Sequence, residues 1–158
     1  MTNIAAEAGD PLRVLLVEDS PGDAELLLRE LQCGGFAVSS HCVDTEADMA
    51  DALGRETWDV VISDHAMPAF NAARALEVLR RNDDDTPFII VSGRIEEADA
   101  VAAMKAGAQD YVWKNNLARL VPAIRRELRE AELRRERKRT RELLQRSVTQ
   151  HRNIVELC

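Results

Sequence analysis

Aromatic residues are scarce in this 158-residue chain, which has two Trp, one Tyr and three Phe. A surface that grips nucleic acid by stacking sets aromatics among its basic residues, and the basic stretch Arg134 to Arg141 contains none. Cysteine is also rare. Cys33, Cys42 and Cys158 are odd in number and fit no paired ligand spacing, so they read as reduced thiols, as small buried side chains or a bare terminus, and not as zinc ligands or disulfides. No stretch approaches the roughly 18 apolar residues of a membrane span, and MTNIAAEAGDP has neither the basic start nor the apolar run of a signal peptide. A cytoplasmic chain is the expectation. Internal repeats and low-complexity linkers are missing as well, and 46% hydrophobic content over this length suits one buried core with a short appendage.

Charge is present in quantity and unevenly placed. Residues 1–116 carry 22 acidic against 9 basic side chains, whereas residues 117–158 carry 6 against 12, which together make the net −7. An acidic body joined to a basic tail points to two physically different segments, so the acidic overall balance says little about either one's partners.

Five short apolar, β-branched runs recur, at Leu12 to Val17, Phe36 to Val43, Val60 to Ser63, Phe88 to Ser92 and Asp110 to Trp113. Helical stretches follow at Asp23 to Leu31, Thr45 to Arg55, Ala72 to Arg81 and Glu96 to Lys105, with apolar or Ala positions three and four apart. Gly34, Gly35 and Gly107 fall where helix C-caps belong. Strands alternating with helices require crossovers, hence an α/β fold with a doubly wound, five-stranded parallel sheet, and LLV, VVI and FIIV read as strands buried on both faces. From Leu117 the apolar positions Leu117, Val121, Ile124, Leu128 and Ala131 step by 4, 3, 4 and 3. RRERKRTRE then interrupts them, and periodicity resumes, displaced, at Leu144, Val148, His151 and Val155. The expectation is a disordered tail over 1–10, a domain over 11–128, and a charged helical linker or coiled-coil segment over 129–158 on an extended C-terminal helix.

In a doubly wound sheet, ligands bind in the crevice beyond the carboxyl ends of the strands. Glu18 and Asp19 follow the first apolar run, Asp64 ends the third, Ser92 ends the fourth and Lys114 closes the fifth, so polar groups from four strands meet at one edge. Any one of them could be a helix cap, but their joint placement is harder to explain structurally. Three carboxylates in reach repel one another unless a hard cation neutralises them, and a few carboxylates plus waters are the usual holders of Mg²⁺. A carboxylate can also act as nucleophile and form an aspartyl-phosphate, with Mg²⁺ and an ammonium offsetting the oxygens and a hydroxyl donating to one.

The motifs VLLVEDS, VVISDHAMP, FIIVSG and KAGAQDYVWK, in that order, make the span from about Pro11 to Leu128 resemble the receiver domain of bacterial two-component systems, a flavodoxin-like fold. The resemblance implies that Asp64 is the phosphoacceptor and that Asp19 and Asp64 bind Mg²⁺ directly. It implies that Glu18 acts through water and that the Ala66 carbonyl completes the protein ligands. Ser92 and Lys114 would hold the phosphoryl group, and Tyr111, with Ser92, would switch on activation. It further implies a histidine kinase or phosphotransfer protein as partner, and no catalysis beyond the domain's own phosphorylation and dephosphorylation. Two departures bear on loop shape alone. MPAFNA lacks the glycine often found after the Met-Pro turn, and Asn115 stands where Pro often follows the lysine.

Other residues have plainer readings. His65 is expected to face solvent or a loop, because neighbours at a strand end point apart. His41 and His151 lack ligand-spaced partners, and Trp58 and Trp113 are expected to pack on the core. Glu96 and Glu97 suit a helix start, and Asp83 to Asp85 a solvated turn. Arg134 to Arg141 could meet nucleic acid or an anionic membrane, but without base-reading motifs no nucleic acid is expected. LVPAIRRELREAELRRERKRTRELLQ resembles linkers that lead from a receiver into a further signalling domain, and its apolar seam suggests a homodimer through that helix. Two other classes remain. A phosphatase with an Asp nucleophile would want a second acid where Ala66 stands, and a pure adaptor that accepts no phosphate is opposed by the complete set of acids, Ser and Lys.

Overall fold

The computed structural model describes residues 9–65, 67–82, 85–93 and 97–156. The apolar runs form β1 (Asp10–Val17), β2 (Phe36–Val43), β3 (Val60–Asp64), β4 (Phe88–Ser92) and β5 (Asp110–Trp113). The helices are α1 (Pro21–Cys33), α2 (Glu46–Arg55), α3 (Ala72–Asn82), α4 (Glu97–Lys105) and α5 (Leu120–Glu156), the last preceded by a 3₁₀ segment, Lys114–Arg119. All strand pairs are parallel, in the order β2-β1-β3-β4-β5. The winding reverses between β1 and β3, and a crevice opens beyond their carboxyl ends.

Two apolar layers sandwich the sheet. Leu15, Val17, Val61, Phe88 and Ile90 face Met49 and Ala52 of α2 and Ala75, Leu76 and Leu79 of α3. On the other face, Leu12, Val14, Leu16, Ile62 and Ile89 meet Leu27 and Leu31 of α1 and Leu120, Ala123 and Ile124 of α5. Burial on both faces accounts for the near-continuous apolar runs.

Helix starts follow from side-chain caps. Ser20 Oγ accepts from the Asp23 N–H at 3.4 Å, with Pro21 opening the helix, and Thr45 Oγ1 accepts from Asp48 at 3.1 Å. Asn71 Oδ1 accepts from the Arg74 N–H at 3.0 Å, so α3 begins on a side-chain cap and needs no glycine. Phe70 closes the same loop from inside the core.

β1 begins two residues before the apolar run, because the Asp10 N–H donates to Gly35 O at 3.0 Å and Arg125 reaches Asp10 Oδ2 at 2.9 Å. Arg125 also donates to Gly34 O and lies 4.3 Å over the Phe36 ring. A Cβ on Gly34 would sit 2.4 Å from Val121 Cγ2, so glycine is what lets α5 lie across the end of α1. Gly35, at φ 95°, then turns the chain into β2.

Several single-residue expectations are corrected. Trp58 is buried and donates from Nε1 to Ala52 O at 3.1 Å, but Trp113 is 41% exposed, because it ends an edge strand. Cys33 and Cys42 are both exposed, Cys33 on the outer side of α1 and Cys42 on edge strand β2. Cys158 lies outside the described residues.

Asp110 anchors the start of β5 to the last helix. Its carboxylate pairs with Arg119 at 3.1 Å and Arg126 at 2.9 Å and accepts from the Tyr111 N–H. Next to Arg126, Glu127 is buried; burial raises its carboxyl above the ordinary range, the Glu130 charge adds to this, and Arg126 opposes it. A folded-state pKa above the unfolded one means the fold holds that proton more tightly. The contribution is therefore present in acid and lost as pH rises through the raised value. Glu127→Gln is expected to raise the melting temperature at pH 7 by a few degrees at most, an advantage that shrinks as pH falls toward the carboxylate range. Thermal melts across pH check both the sign and the trend.

Candidate functional site

Four strand ends build the crevice. Glu18 continues β1 by one residue, its N–H donating to Val43 O at 3.0 Å, and its side chain is buried where Oε1 accepts the Ser20 N–H at 3.1 Å. Asp19 follows and is exposed. Asp64 is the last residue of β3, with a side chain 11% exposed, and Ser92, the buried last residue of β4, stands beside it in the sheet order. One carboxylate oxygen from each of Glu18, Asp19 and Asp64 lies within 4.8 Å of the others.

Lys114 enters this cluster directly after β5. Its Nζ lies 3.3 Å from Glu18 Oε2 and 3.6 Å from Asp64 Oδ1, but its shortest contact, 2.7 Å, is to Asp23 Oδ2. Asp23 joins the site unannounced by the motifs, and the one sequence signal for it is its position four residues after Asp19, in the first turn of the helix leaving the crevice. Ala66 lies outside the described residues.

The charges explain one another. Burial pushes the Glu18 carboxyl up, the Ser20 N–H holds it back, and the Asp64 charge pushes it further. Burial alone would lower the Lys114 ammonium, but the Asp23 hydrogen bond and the Glu18 and Asp64 charges outweigh it and leave the group above its ordinary range, a fixed cation. Four carboxylates against one ammonium leave excess negative charge at one spot. Three oxygen donors at this spacing, one of them exposed, fit a small hard divalent cation that keeps part of its water shell.

His65 lies in the loop just past β3, as the sequence suggests, and turns its side chain toward Tyr111 and α4. The side chain is 29% exposed, its ring lies 5.9 Å from that of Tyr111, and Nε2 is 3.6 Å from Asp99 Oδ2. Tyr111 is buried, and burial raises its phenol, an effect Ser92 opposes and the Asp99 and Asp64 charges reinforce. By strict hydrogen-bond geometry neither the phenolic oxygen nor His65 Nδ1 has a partner among the described residues. His41, exposed, stacks on Trp58 at 6.4 Å. Asp83, Asp84, Glu96 and the side chains of Glu97 and His151 lie outside the described residues, while the Asp85 carbonyl accepts from Arg134 at 3.3 Å.

A sequence model of the response regulator receiver domain matches residues 14–125. The chain belongs to the response regulator receiver domain family. Over 121 residues the receiver is 36% identical to the transcriptional regulatory protein PrrA of Mycobacterium leprae, covering 74% of this chain and 50% of PrrA, so it spans half that relative's length. The solved receiver domain of a putative Luxo repressor protein from Vibrio parahaemolyticus superposes with a TM-score of 0.68 at 28% identity, covering 78% of this chain and 95% of that one. The receiver domain of sensor histidine kinase PA1611 from Pseudomonas aeruginosa, solved with a magnesium ion in its active-site cleft, matches at TM-score 0.57 and 22% identity, covering 70% of this chain and 94% of that one. At that identity the likeness is one of fold.

Crowded carboxylates store repulsion that removal of one charge releases. Asp64→Asn is expected to stabilise the metal-free receiver by roughly 1 kcal/mol, and added Mg²⁺ should stabilise the parent more than the variant. Paired thermal melts with chelator and with Mg²⁺ measure the difference.

Proposed function

We propose that the receiver accepts a phosphoryl group on Asp64 from the phosphohistidine of a partner histidine kinase or phosphotransfer protein. The observation that carries this reading is the placement of a largely buried Asp64 carboxylate at a strand end, among two further acids and 3.6 Å from Lys114. In the transfer, an Asp64 oxygen lone pair forms the new bond to phosphorus while the phosphorus–nitrogen bond of the donor imidazole breaks. The electron pair goes to that nitrogen, and an acyl phosphate remains on Asp64. The Lys114 ammonium moves from Asp23 toward the phosphoryl oxygens, whose charge exceeds that of one carboxylate, and the Ser92 hydroxyl donates to another oxygen. Tyr111, buried beside Ser92 with an unsatisfied phenol, changes position once that hydroxyl is engaged.

Asp19 and Asp64 would hold Mg²⁺ directly, Glu18 through water, and the Ala66 carbonyl would complete the protein ligands. The magnesium ion named for the PA1611 receiver supports this by likeness of fold. When bound, the ion supplies positive charge against the carboxylates and the incoming phosphoryl oxygens. The domain is a signalling module and not an enzyme acting on other substrates. Its output passes through α5, to a second copy of the chain or to a domain that follows, and a histidine kinase as partner would put it in the cytoplasm. Among the described residues no helix is long and apolar enough to cross a membrane.

Incubation with a small-molecule phosphodonor and Mg²⁺ is expected to give an acid-labile, hydroxylamine-sensitive label that Asp64→Asn abolishes. An unlabelled parent would leave an adaptor that works by contact alone, and a label surviving in the variant would move the acceptor elsewhere. Lys114→Ala is expected to keep Mg²⁺ binding and some labelling while losing the conformational change that follows, because no ammonium remains to read the added charge. Near-ultraviolet circular dichroism of labelled parent and variant tests this, and an equal change in both would remove Lys114 from the role.

A further inference from the structure

Where α5 leaves the receiver body, its apolar stripe changes sides. Leu120, Ala123, Ile124 and Ala131 are buried, and the Arg134 hydrogen bond to Asp85 ties the helix to the α3–β4 loop. Every residue from Glu136 to Gln150 is exposed. A second stripe begins at Leu133, two residues past Ala131, which at 3.6 residues per turn puts it roughly 160° around the axis from the packed side. From there Leu133, Arg137, Thr140, Leu144 and Val148 follow in steps of 4, 3, 4 and 4. Leu133, Leu144 and Val148 are 50%, 61% and 58% exposed, with Leu143 beside them at 66%. Three large aliphatic side chains on one face of a bare helix otherwise rich in charge form a seam that nothing among the described residues covers.

We propose that a second copy of this chain docks on that seam, parallel and in register, to form a two-stranded coiled coil over about Leu133 to Val148. Charge complementarity selects this occupant. With Leu133 and Thr140 at d positions and Arg137 and Leu144 at a positions, Glu136 falls at g and Arg141 at the next e, the two positions that meet across a parallel pair. Glu136 of each chain then meets Arg141 of the partner subunit, once on either side of the seam. In an antiparallel pair g faces g and e faces e, so those contacts are lost. Arg137 on the axis weakens the pair but penalises slipped registers, as a single polar a position does. The last step of four locally relaxes the left-handed winding. The seam lies on the side of the helix away from the sheet, so the partner does not compete with the body for α5. The proposal goes beyond the phosphoacceptor reading and stands on the helix alone.

Sedimentation equilibrium on the full chain tests it. The parent is expected to be dimeric at or below about 100 µM. Glu136→Arg and Arg141→Glu, each of which sets like charges opposite one another on both sides, should each dissociate about tenfold more readily. An equimolar mixture of the two variants should recover tight association, because the mixed dimer restores opposite charges on both sides. Leu144→Glu should be monomeric, with far-ultraviolet circular dichroism confirming that its receiver is folded. A parent that stays monomeric throughout, or a mixture no tighter than its components, overturns the proposal. Labelling of Asp64 is a separate readout, so failure of either reading is recognised without the other.

Discussion

Mutual repulsion among Glu18, Asp19 and Asp64 is the constraint around which the domain is arranged. Carboxylate oxygens within 4.8 Å separate unless something stiffer holds them, and here the holder is the parallel sheet. Glu18 is fixed by its backbone bond to Val43 and by the Ser20 amide, Asp64 by register with β4, and Lys114 by following β5. A loop-built cluster could relax by opening, whereas strand ends buried on both faces cannot. The apolar layers therefore do more than stabilise the fold, since they make an electrostatically unfavourable constellation persist.

That constellation is joined mechanically to the last helix. Lys114 is the first residue of the 3₁₀ segment that runs directly into α5, and Asp110, at the other end of β5, grips Arg119 and Arg126 on either side of the start of α5. The ammonium that leans on Asp23 and the helix that leaves the body thus hang from the same four-residue strand. On the proposed reading, a shift of Lys114 from Asp23 toward a charged group on Asp64 bears on the entry to α5, while the Asp110 pairs keep the base of β5 fixed.

Much of this was legible in the sequence. The period change from strand to helix, the apolar runs and the acids at their ends gave the strand positions, the parallel sheet and the residues that converge at its edge, because burial on two faces leaves a plain signature. What escaped was cross-element contact. Asp23 reads as an ordinary first-turn acid until the crossing of α1 brings it 2.7 Å from Lys114. His65 was rightly turned from its neighbour, but what lies on the other side, Tyr111 and α4, is set by topology and not by local pattern. Cys42 and Trp113 escaped for the same reason, since hydrophobic type carries no record of which strands are edges, and Cys33 because it carries none of which side of a helix faces out.

On the proposed dimer, the two stripes on α5 let a single helix serve both its own receiver body and a partner. The interruption RRERKRTRE, which looks like a break in one coiled-coil repeat, coincides with the point where the helix stops packing on its own sheet. A continuous stripe would carry the face that grips the body straight into the emergent segment, and body and partner would then compete for one surface. Displacing the second stripe by two residues separates them by nearly half a turn of the helix. A continuous backbone of 37 residues, roughly 55 Å long and without Pro or Gly beyond Pro122 to kink it, would on the proposed reading carry a change of tilt at Leu120 toward its far end.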